Sequence, residues 1–486
     1  MPANFVPTGI EYLRVLPEIL LAAIATLIMA LEPVTPARHK RRLGYLAFGG
    51  LAGGLAAAAW GVFAQGTAFS GMVIIDGFAV FFRVLVIAAA LLVVLMSAGY
   101  LRREGAEAGE YYALVLFSVV GQCIMAAAGE LIVVFIGLEI SSIASYVLAG
   151  YLRREKLGNE AAAKYFLLGS FATGFLLYGI AFIYGTTGTT SIAGIHDALA
   201  AGSPGGLLIG AAAALMFVGF AFKVSAAPFQ VWAPDVYQGA PSPVTAFLAT
   251  GPKAAAFAIF LRVYMTAFGS LAPRWEPIVW ASALLTMIAG NFAALAQHNF
   301  KRLLAYSSIA HAGYMMVAIS AHSDAGTAAV MFYLAAYVCM NIGAFAVVSY
   351  FSRRGERYVN VEDFAGLGWR QPVTAAMFSI LLLSFIGVPL TAGFFAKFYV
   401  FKAALDADLV WLTVLGLLNS AVAAFYYLRL LVVMYMHEPG ESVRDLPPLA
   451  EGTKATIWIC AVLTLLLGIF PSVVLRLADQ FGQLGN

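Results

Sequence analysis

The sequence predicts an all-α polytopic membrane protein of about fourteen transmembrane helices, with two inverted five-helix repeats that each contain a broken helix. Three observations carry this expectation. The 486-residue chain is 62% hydrophobic and 11% charged, with a mean hydropathy of +0.88, whereas a soluble domain carries roughly 25% charged residues. Apolar runs of about 20 residues, each long enough to cross about 30 Å of hydrocarbon as a helix, recur from end to end. Two of these runs are interrupted by proline and carry a lysine close to the interruption.

In chain order the runs fall near residues 11–31, 43–64, 75–100, 111–128, 130–152, 160–185, 207–236, 243–267, 276–297, 301–321, 326–351, 372–404, 409–436 and 454–475. The first carries Glu11 and Glu18 and has no basic cluster before it, which argues against a cleaved signal peptide. Cys123, Cys339 and Cys460 lie singly inside runs without CxxC spacing, so they read as packing residues rather than disulfide or metal ligands. The longest connections, 185–206 and 352–371, are too short for a separate soluble domain. Any chemistry therefore falls within the membrane.

Loop charge sets the expected topology, because Lys and Arg in short loops stay on the cytoplasmic side. One alternating set of loops holds Arg38, Lys40, Arg41, Arg42, Arg102, Arg103, Arg153, Arg154, Lys156, Lys301, Arg302, Arg353, Arg354, Arg357, Arg370, Arg444 and Lys454. The other set and the two ends hold only Arg14, Arg274, Lys402 and Arg476. The first set is expected inside and both chain ends outside, in a bacterial cytoplasmic membrane.

Seven basic residues remain within the runs: Arg83, Lys164, Lys223, Lys253, Arg262, Lys397 and Arg429. A charge near the bilayer centre costs at least about 2.5–3.5 kcal/mol on insertion scales, which makes it a candidate functional group. Lys164, Arg83 and Arg262 lie nearer run ends, where a long side chain can snorkel. An arginine also keeps its proton in any surroundings and suits pairing better than exchange. Lys223 and Lys253 sit near the middle of consecutive runs. Glu139, in IVVFIGLEISSIASYVL, is the one acid at comparable depth on this reading. Burial favours the neutral form of either group and a close opposite charge reverses that, so a Glu and several Lys at one depth can pass a proton by changing partners. A static ion pair between helices is the plainer alternative, but four lysines cannot all pair with one deep glutamate. His311, in KRLLAYSSIAHAGYMMVAI, is the mid-span histidine; by itself a buried histidine is more often a hydrogen-bonded core residue, and the neighbouring lysine sites bring the relay reading level with that one.

The backbone points to the same places. Pro228 in FKVSAAPFQVW and Pro389, with Gly387 and Gly393, in LLLSFIGVPLTAGFFAKFYVF remove helix hydrogen bonds at membrane depth. Such breaks are tolerated where protein or water satisfies the freed groups, and paired broken helices point to an ion path. The broken runs are the seventh and twelfth, five apart, and a unit of five spans inverts when repeated. This divides the chain into an N-terminal three-helix segment (1–110), a first repeat of spans four to eight (111–268), an inverted second repeat of spans nine to thirteen (269–437), and a C-terminal helix (438–486).

The run PFQVWAPDVYQGAPSPVTAFLATGPKAAAF resembles the signature of the antiporter-like subunits of respiratory complex I, NADH:quinone oxidoreductase, in the form typical of subunit N. GLEISSIASYVLAGYLRREKLGNEAAAKYFLLGSFATGFLLYGIAFIYGTTG and NFKRLLAYSSIAHAGYMM are similar to the same subunit, and the likeness covers nearly the whole chain. The resemblance implies a 14-helix proton-translocating subunit without a redox cofactor. NADH, FMN, iron–sulfur clusters and quinone would be handled by partner subunits, and neighbouring membrane-arm subunits would flank this chain. It also implies relay roles for Glu139, Lys164, Lys223, Lys253 and Lys397 by their motif positions, with His311 between them. Gln230 stands where related subunits often have His, which leaves its role open. The sequence ends about ten residues after its last expected span, whereas subunit L carries a long C-terminal extension, so the resemblance is expected to lie with other subunits. Subunit M and the multisubunit sodium/proton antiporter subunits are closer alternatives, and an antiporter shares the lysines and broken helices. A redox enzyme would instead need paired mid-helix histidines, cysteine sets or a glycine-rich nucleotide turn, and the sequence offers none of these.

Overall fold

The computed structural model describes residues 7–202, 205–444 and 446–484. Within them the chain is helical apart from one antiparallel hairpin, Gly66–Ala68 with Val73–Ile75. The principal helices are α1 (Leu16–Leu31), α2 (Arg41–Trp60), α3 (Gly77–Glu104), α4 (Gly109–Ala126), α5 (Leu131–Ala149), α6 (Lys156–Thr187), α7 (Gly206–Val224), α8 (Ala233–Gly239) and α9 (Ser242–Leu261). They continue with α10 (Ala272–Leu295), α11 (Phe300–Ser320), α12 (Asp324–Phe351), α13 (Pro372–Ile386), α14 (Ala392–Asp406), α15 (Val410–Met436), α16 (Glu451–Ile469) and α17 (Ser472–Phe481). Twelve helical stretches among the described residues are long and apolar enough to cross a membrane, and α1 and α13 are shorter apolar helices. Both expected breaks are present, between α7 and α8 and between α13 and α14.

Local chemistry sets the helix ends. Asp76 accepts from the Ala79 amide at 2.7 Å to cap α3, Asn299 accepts from Arg302 to cap α11, and Ser323 accepts from Gly326 to cap α12. Asn299 places the following Lys301 inside a helix, not in the basic loop that its neighbourhood suggests.

Helices α9, α11 and α12 are almost wholly enclosed, which is why their sequences show no polar face. Around them α6 and α15 turn Phe171, Leu167, Trp411 and Phe425 outward. Close crossings depend on small residues. A Cβ on Gly121 of α4 would lie 2.5 Å from backbone atoms of Gly137 and Ser141 on α5, and one on Gly290 of α10 would lie 2.5 Å from the Ala310 amide on α11. These two crossings involve spans four with five and nine with ten, five spans apart.

The basic loops converge on one end of the bundle, where Arg153, Arg154, Arg353, Arg354 and Arg357 line an open cavity of about 1080 Å³. At the opposite end lie the hairpin, Arg14, whose guanidinium donates to the carbonyls of Ala64 and Gln65, and Leu484, whose carbonyl accepts from Thr266.

Two arginines expected to snorkel are instead buried in ion pairs. Arg83 is 1% exposed and meets Glu18 at 2.7 Å, while Arg262 grips Asp76 through two 2.9 Å bonds. A fork-shaped donor that can reach a carboxylate across a helix crossing gains more from pairing than from reaching for water. Glu18 is therefore a buried acid that the expectation overlooked, whereas Glu139 is half-buried. Arg83→Leu, which strands the Glu18 carboxylate, is expected to cost about 3–5 kcal/mol of stability, and adding Glu18→Leu should recover most of it. Thermal unfolding of the purified variants, or the amount of chain retained in membranes, measures both steps.

Candidate functional site

The break after α7 comes from Ser225 in the left-handed region (φ 62°) followed by Pro228. Neighbouring groups replace the lost helix bonds. The Ala227 amide donates to Thr286 Oγ1 at 2.8 Å and its carbonyl accepts from Ser282 at 2.6 Å, both on α10, while the Trp232 indole donates to the Phe222 carbonyl at 2.9 Å.

Lys223 sits in the last turn of α7, where the negative end of the helix dipole favours a cation. Its Nζ donates to Ser142 Oγ at 2.7 Å and Tyr146 OH at 3.3 Å, with the rings of Tyr146 and Tyr165 5.3 and 5.7 Å away. Ser142 and Tyr146 follow Glu139 on one face of α5. Glu139 makes no ion pair with Lys223 at contact distance among the described residues; its Oε1 is buried without a hydrogen-bond partner. Beside Lys223 is a cavity of about 10 Å³, bounded by Ser141, Ser142, Ser145, Tyr165 and Pro252, which is the space of about one water molecule.

From that cavity a polar thread crosses the bundle. Ser118 Oγ lies 3.0 Å from Ser141 Oγ and 3.3 Å from Ser145 Oγ, and Gln122 Nε2 donates to Ser118 at 3.1 Å. Gln122 Oε1 has no partner and abuts Gly251 of α9, two residues before Lys253. Lys253, almost fully buried, donates to the Ser308 carbonyl at 3.0 Å and to Ser308 Oγ at 2.5 Å. Tyr337 OH donates to the same Ser308 Oγ at 2.7 Å, and its ring lies 5.5 Å from the His311 ring. His311 Nδ1 is 2.5 Å from Tyr333 OH. The ring of Phe385, just before the second break, packs 5.4 Å from His311.

Lys397 closes the series. Its Nζ donates to the Phe385 carbonyl at 3.0 Å, the Ile386 carbonyl at 2.8 Å and Ser420 Oγ at 2.8 Å, with the Tyr314 ring 5.0 Å away. The two carbonyls are those freed where α13 stops at Gly387, whose φ of 94° suits glycine. Pro389 falls within the gap that follows, before α14 begins.

The structure thus brings Lys253, His311 and Lys397 into one part of the core, where Tyr337 joins Ser308 to the His311 ring and the Tyr314 ring faces both His311 and Lys397. Half-buried Lys223 is reached through the serines and Gln122, with Glu139 three residues before Ser142; among the described residues no hydrogen bond joins Gln122 to Lys253 or His311 to Lys397. Lys164 lies apart: its side chain is 40% exposed and it pairs with Glu160 and Asp235 at 2.6 Å each. Asp235 also holds Arg302 at 2.6 Å, so α6, α8 and α11 meet at one carboxylate. Sequence reading missed Ser118, Gln122, Ser308, Asp235 and the Lys301–Glu356 pair. Only the serines at 141, 142 and 145 carried a signal, their helical spacing after Glu139. Among the described residues no group of three or more His, Cys, Asp or Glu could hold a metal ion.

With this geometry in view, comparisons with known proteins identify the family. The NADH:quinone oxidoreductase/Mrp antiporter transmembrane family matches residues 128–423. The chain is 59% identical to NADH-quinone oxidoreductase subunit N 1 of Solibacter usitatus, over 97% of each chain. A chain of respiratory complex I from Thermus thermophilus superposes with a TM-score of 0.81 at 37% identity, covering 95% of this chain and 99% of that one. A chain of the Mrp complex from Dietzia shares the fold, with a TM-score of 0.86 at 22% identity over 97% of each.

Replacing Thr286 by Val and Ser282 by Ala together is expected to leave the Ala227 amide and carbonyl buried without partners, at about 1–3 kcal/mol each. A lower midpoint of thermal unfolding in the purified protein checks this, and an unchanged midpoint would show that the break is supported elsewhere. The chain belongs to the subunit N family of NADH-quinone oxidoreductase, the antiporter-like membrane proteins.

Proposed function

We propose that this chain moves protons across the bacterial cytoplasmic membrane through Glu139, Lys223, Lys253, His311 and Lys397, driven by redox chemistry in partner subunits of NADH:quinone oxidoreductase. The observation that carries this reading is the way the deep lysines are held. Lys223, Lys253 and Lys397 are seated on hydroxyl and carbonyl oxygens, not on carboxylates. A lysine held in this way can give up its proton without leaving a bare buried anion beside it. Two of the three seats are at helix breaks, where water and backbone groups can both reach the amine.

In this reading Glu139 biases Lys223 through its field, the serine and Gln122 thread conducts between Lys223 and Lys253, and Ser308, Tyr337 and His311 lead on to Lys397. Lys164 acts at the edge, by sharing Asp235 with Arg302 and so tying α8 to α11. The glycine crossings of α4 with α5 and of α10 with α11 fit two inverted five-helix repeats. Flavin, iron–sulfur clusters, NADH and quinone belong to partner subunits, and other membrane-arm subunits cover part of the outward-facing apolar surface. A sodium/proton antiporter subunit is the weaker reading, since the likeness to the Mrp chain is at 22% identity and supports the fold alone.

Lys223→Arg retains the charge but holds its proton too tightly to release it, and Lys223→Ala removes the carrier. Both are expected to lower NADH-driven pumping by about an order of magnitude in assembled complex. Full pumping by assembled Lys223→Arg complex would overturn the role of Lys223, and loss of assembly with Ala alone would mark it as structural.

The basic end, with residues 38–42, 153–156 and 353–357, faces the cytoplasm in this reading, and both chain ends face outward. Single cysteines placed in those loops should resist an impermeant thiol reagent in intact cells, while one at Gly71 in the hairpin turn should react. The reverse pattern would invert the topology.

A further inference from the structure

One buried charged cluster takes no part in the line from Lys223 to Lys397. Lys301, in the first turn of α11, has no exposed side-chain surface. A lysine this close to a helix end and to water ordinarily snorkels. Here it turns inward, and its Nζ donates to the Ala240 carbonyl and to Glu356 at 2.5 Å. Glu356, 16% exposed, comes from the loop after α12. Its Oε1 also accepts from the Ser242 amide and hydroxyl at 2.7 Å each and from Tyr100 OH at 2.9 Å. The carboxylate therefore caps α9, the helix that carries Lys253. Burial would raise the Glu356 carboxyl, but Lys301 and the Ser242 donors outweigh it and hold the group below its usual range.

The loop is bent to put the carboxylate there. Arg353, Gly355 and Glu356 all have left-handed backbone, with φ of 52°, 72° and 49°, a conformation that costs a non-glycine residue energy and persists where the surroundings enforce it. The Gly355 amide is tied to Glu104 at 2.9 Å and the Arg353 guanidinium to the Ser442 carbonyl at 3.0 Å. Gly355 and Arg357, on either side of Glu356, line the open 1080 Å³ cavity. Below the pair, Lys301 and Ser308 are two turns apart on one face of α11, about 10 Å along its axis. The α8–α9 corner spans that interval: Ala240 holds Lys301, and Tyr237 OH lies 3.3 Å from Ser308 Oγ. Ser308 in turn holds Lys253.

We propose that the Lys301–Glu356 pair is the gate through which protons from the aqueous basic end reach Lys253. The proposal rests on the relay reading above. In the closed state Lys301 is an ammonium and Glu356 a carboxylate. When the two side chains separate, Glu356 loses the positive charge that disfavours its neutral form and takes a proton from water, leaving Lys301 released. Lys301 then passes one of its protons along the Ser308 side to a neutral Lys253, and takes the proton from Glu356 in return. The pair is restored, and the net change is one proton moved from water to Lys253, with no other bond made or broken.

The test uses the whole complex in sealed membrane vesicles, with NADH-driven acidification normalised to assembled complex on native gels. Glu356→Gln keeps the size and the acceptor oxygen for Ser242 but cannot cycle a proton, so acidification should fall by about tenfold, while Glu356→Asp should recover a substantial part of it. The neutral pair Lys301→Met with Glu356→Gln removes both charges together, keeps an acceptor for Ser242, and should restore the amount of assembled complex without restoring acidification. Wild-type acidification by Glu356→Gln, or by the neutral pair, would overturn the gate. Failure of every variant to assemble, the neutral pair included, would overturn it as well, because the pair would then be a structural tie. Lys223→Arg in the same vesicles separates this from the wider reading. Impairment there with normal Glu356→Gln sinks the gate alone, whereas normal Lys223→Arg sinks the relay.

Discussion

A charged amine cannot rest inside an apolar helical bundle unless something there accepts its hydrogen bonds, and the carbonyls of an intact helix are already engaged with amides and can offer only a second lone pair. Much of this structure is arranged around that constraint. The helix of Lys223 stops one residue beyond it, and its loose backbone is held by Thr286, Ser282 and Trp232. Lys397 takes the two carbonyls left open where α13 ends. Lys253, whose helix continues, borrows a hydroxyl and a carbonyl from Ser308 across the interface with α11. The close crossing at Gly121 brings α4 against α5, where Ser118 meets Ser141, and the one at Gly290 brings α10 against α11.

The basic residues divide by partner. Arg83, Arg262 and Arg302 bind carboxylates of Glu18, Asp76 and Asp235. These pairs join α1 to α3, α3 to the end of α9, and α8 to α11, and a guanidinium that keeps its proton suits fixed joints of this kind. The central lysines bind neutral oxygens instead. An ammonium facing a buried carboxylate is trapped by it, because losing the proton would strand the anion. One facing a serine or a backbone carbonyl loses only a hydrogen bond. Rigid joints and exchangeable sites are thus built from different side chains in the same bundle, and Lys301, which does face a carboxylate, sits at the boundary with water, where that anion can be protonated from outside.

Much of this was legible in the sequence because apolar runs, prolines within them and charges among them are local features. The breaks near Pro228 and Pro389 and the burial of Lys253, His311 and Lys397 came from such features alone. Pairing across the chain was not legible. Glu18 and Arg83 lie in different runs, and neither residue's surroundings name the other, so both arginine pairs were read as side chains reaching for water. Lys301 stands next to Arg302 in what looks like a basic loop; only the cap at Asn299 and the distant Glu356 show that it turns inward. The Ser118 and Gln122 thread was hidden for a different reason: serine and glutamine are common in membrane helices, and their value lies in which helix they face. Lys164 is a different case: its motif position implied a relay role, its place near the end of a run allowed it to reach water, and it lies partly exposed beside Glu160 and Asp235.

The central claim is that the buried amines exchange protons during turnover rather than hold the bundle together. The proton-to-electron ratio of complex carrying Lys253→Met, reconstituted in sealed vesicles and compared with wild type at matched NADH oxidation, tests it most directly. Methionine keeps most of the side-chain volume and removes the proton carrier, so the account predicts assembled complex with a lowered ratio, or with oxidation slowed to match the lost pumping. A wild-type ratio at a wild-type rate would contradict it.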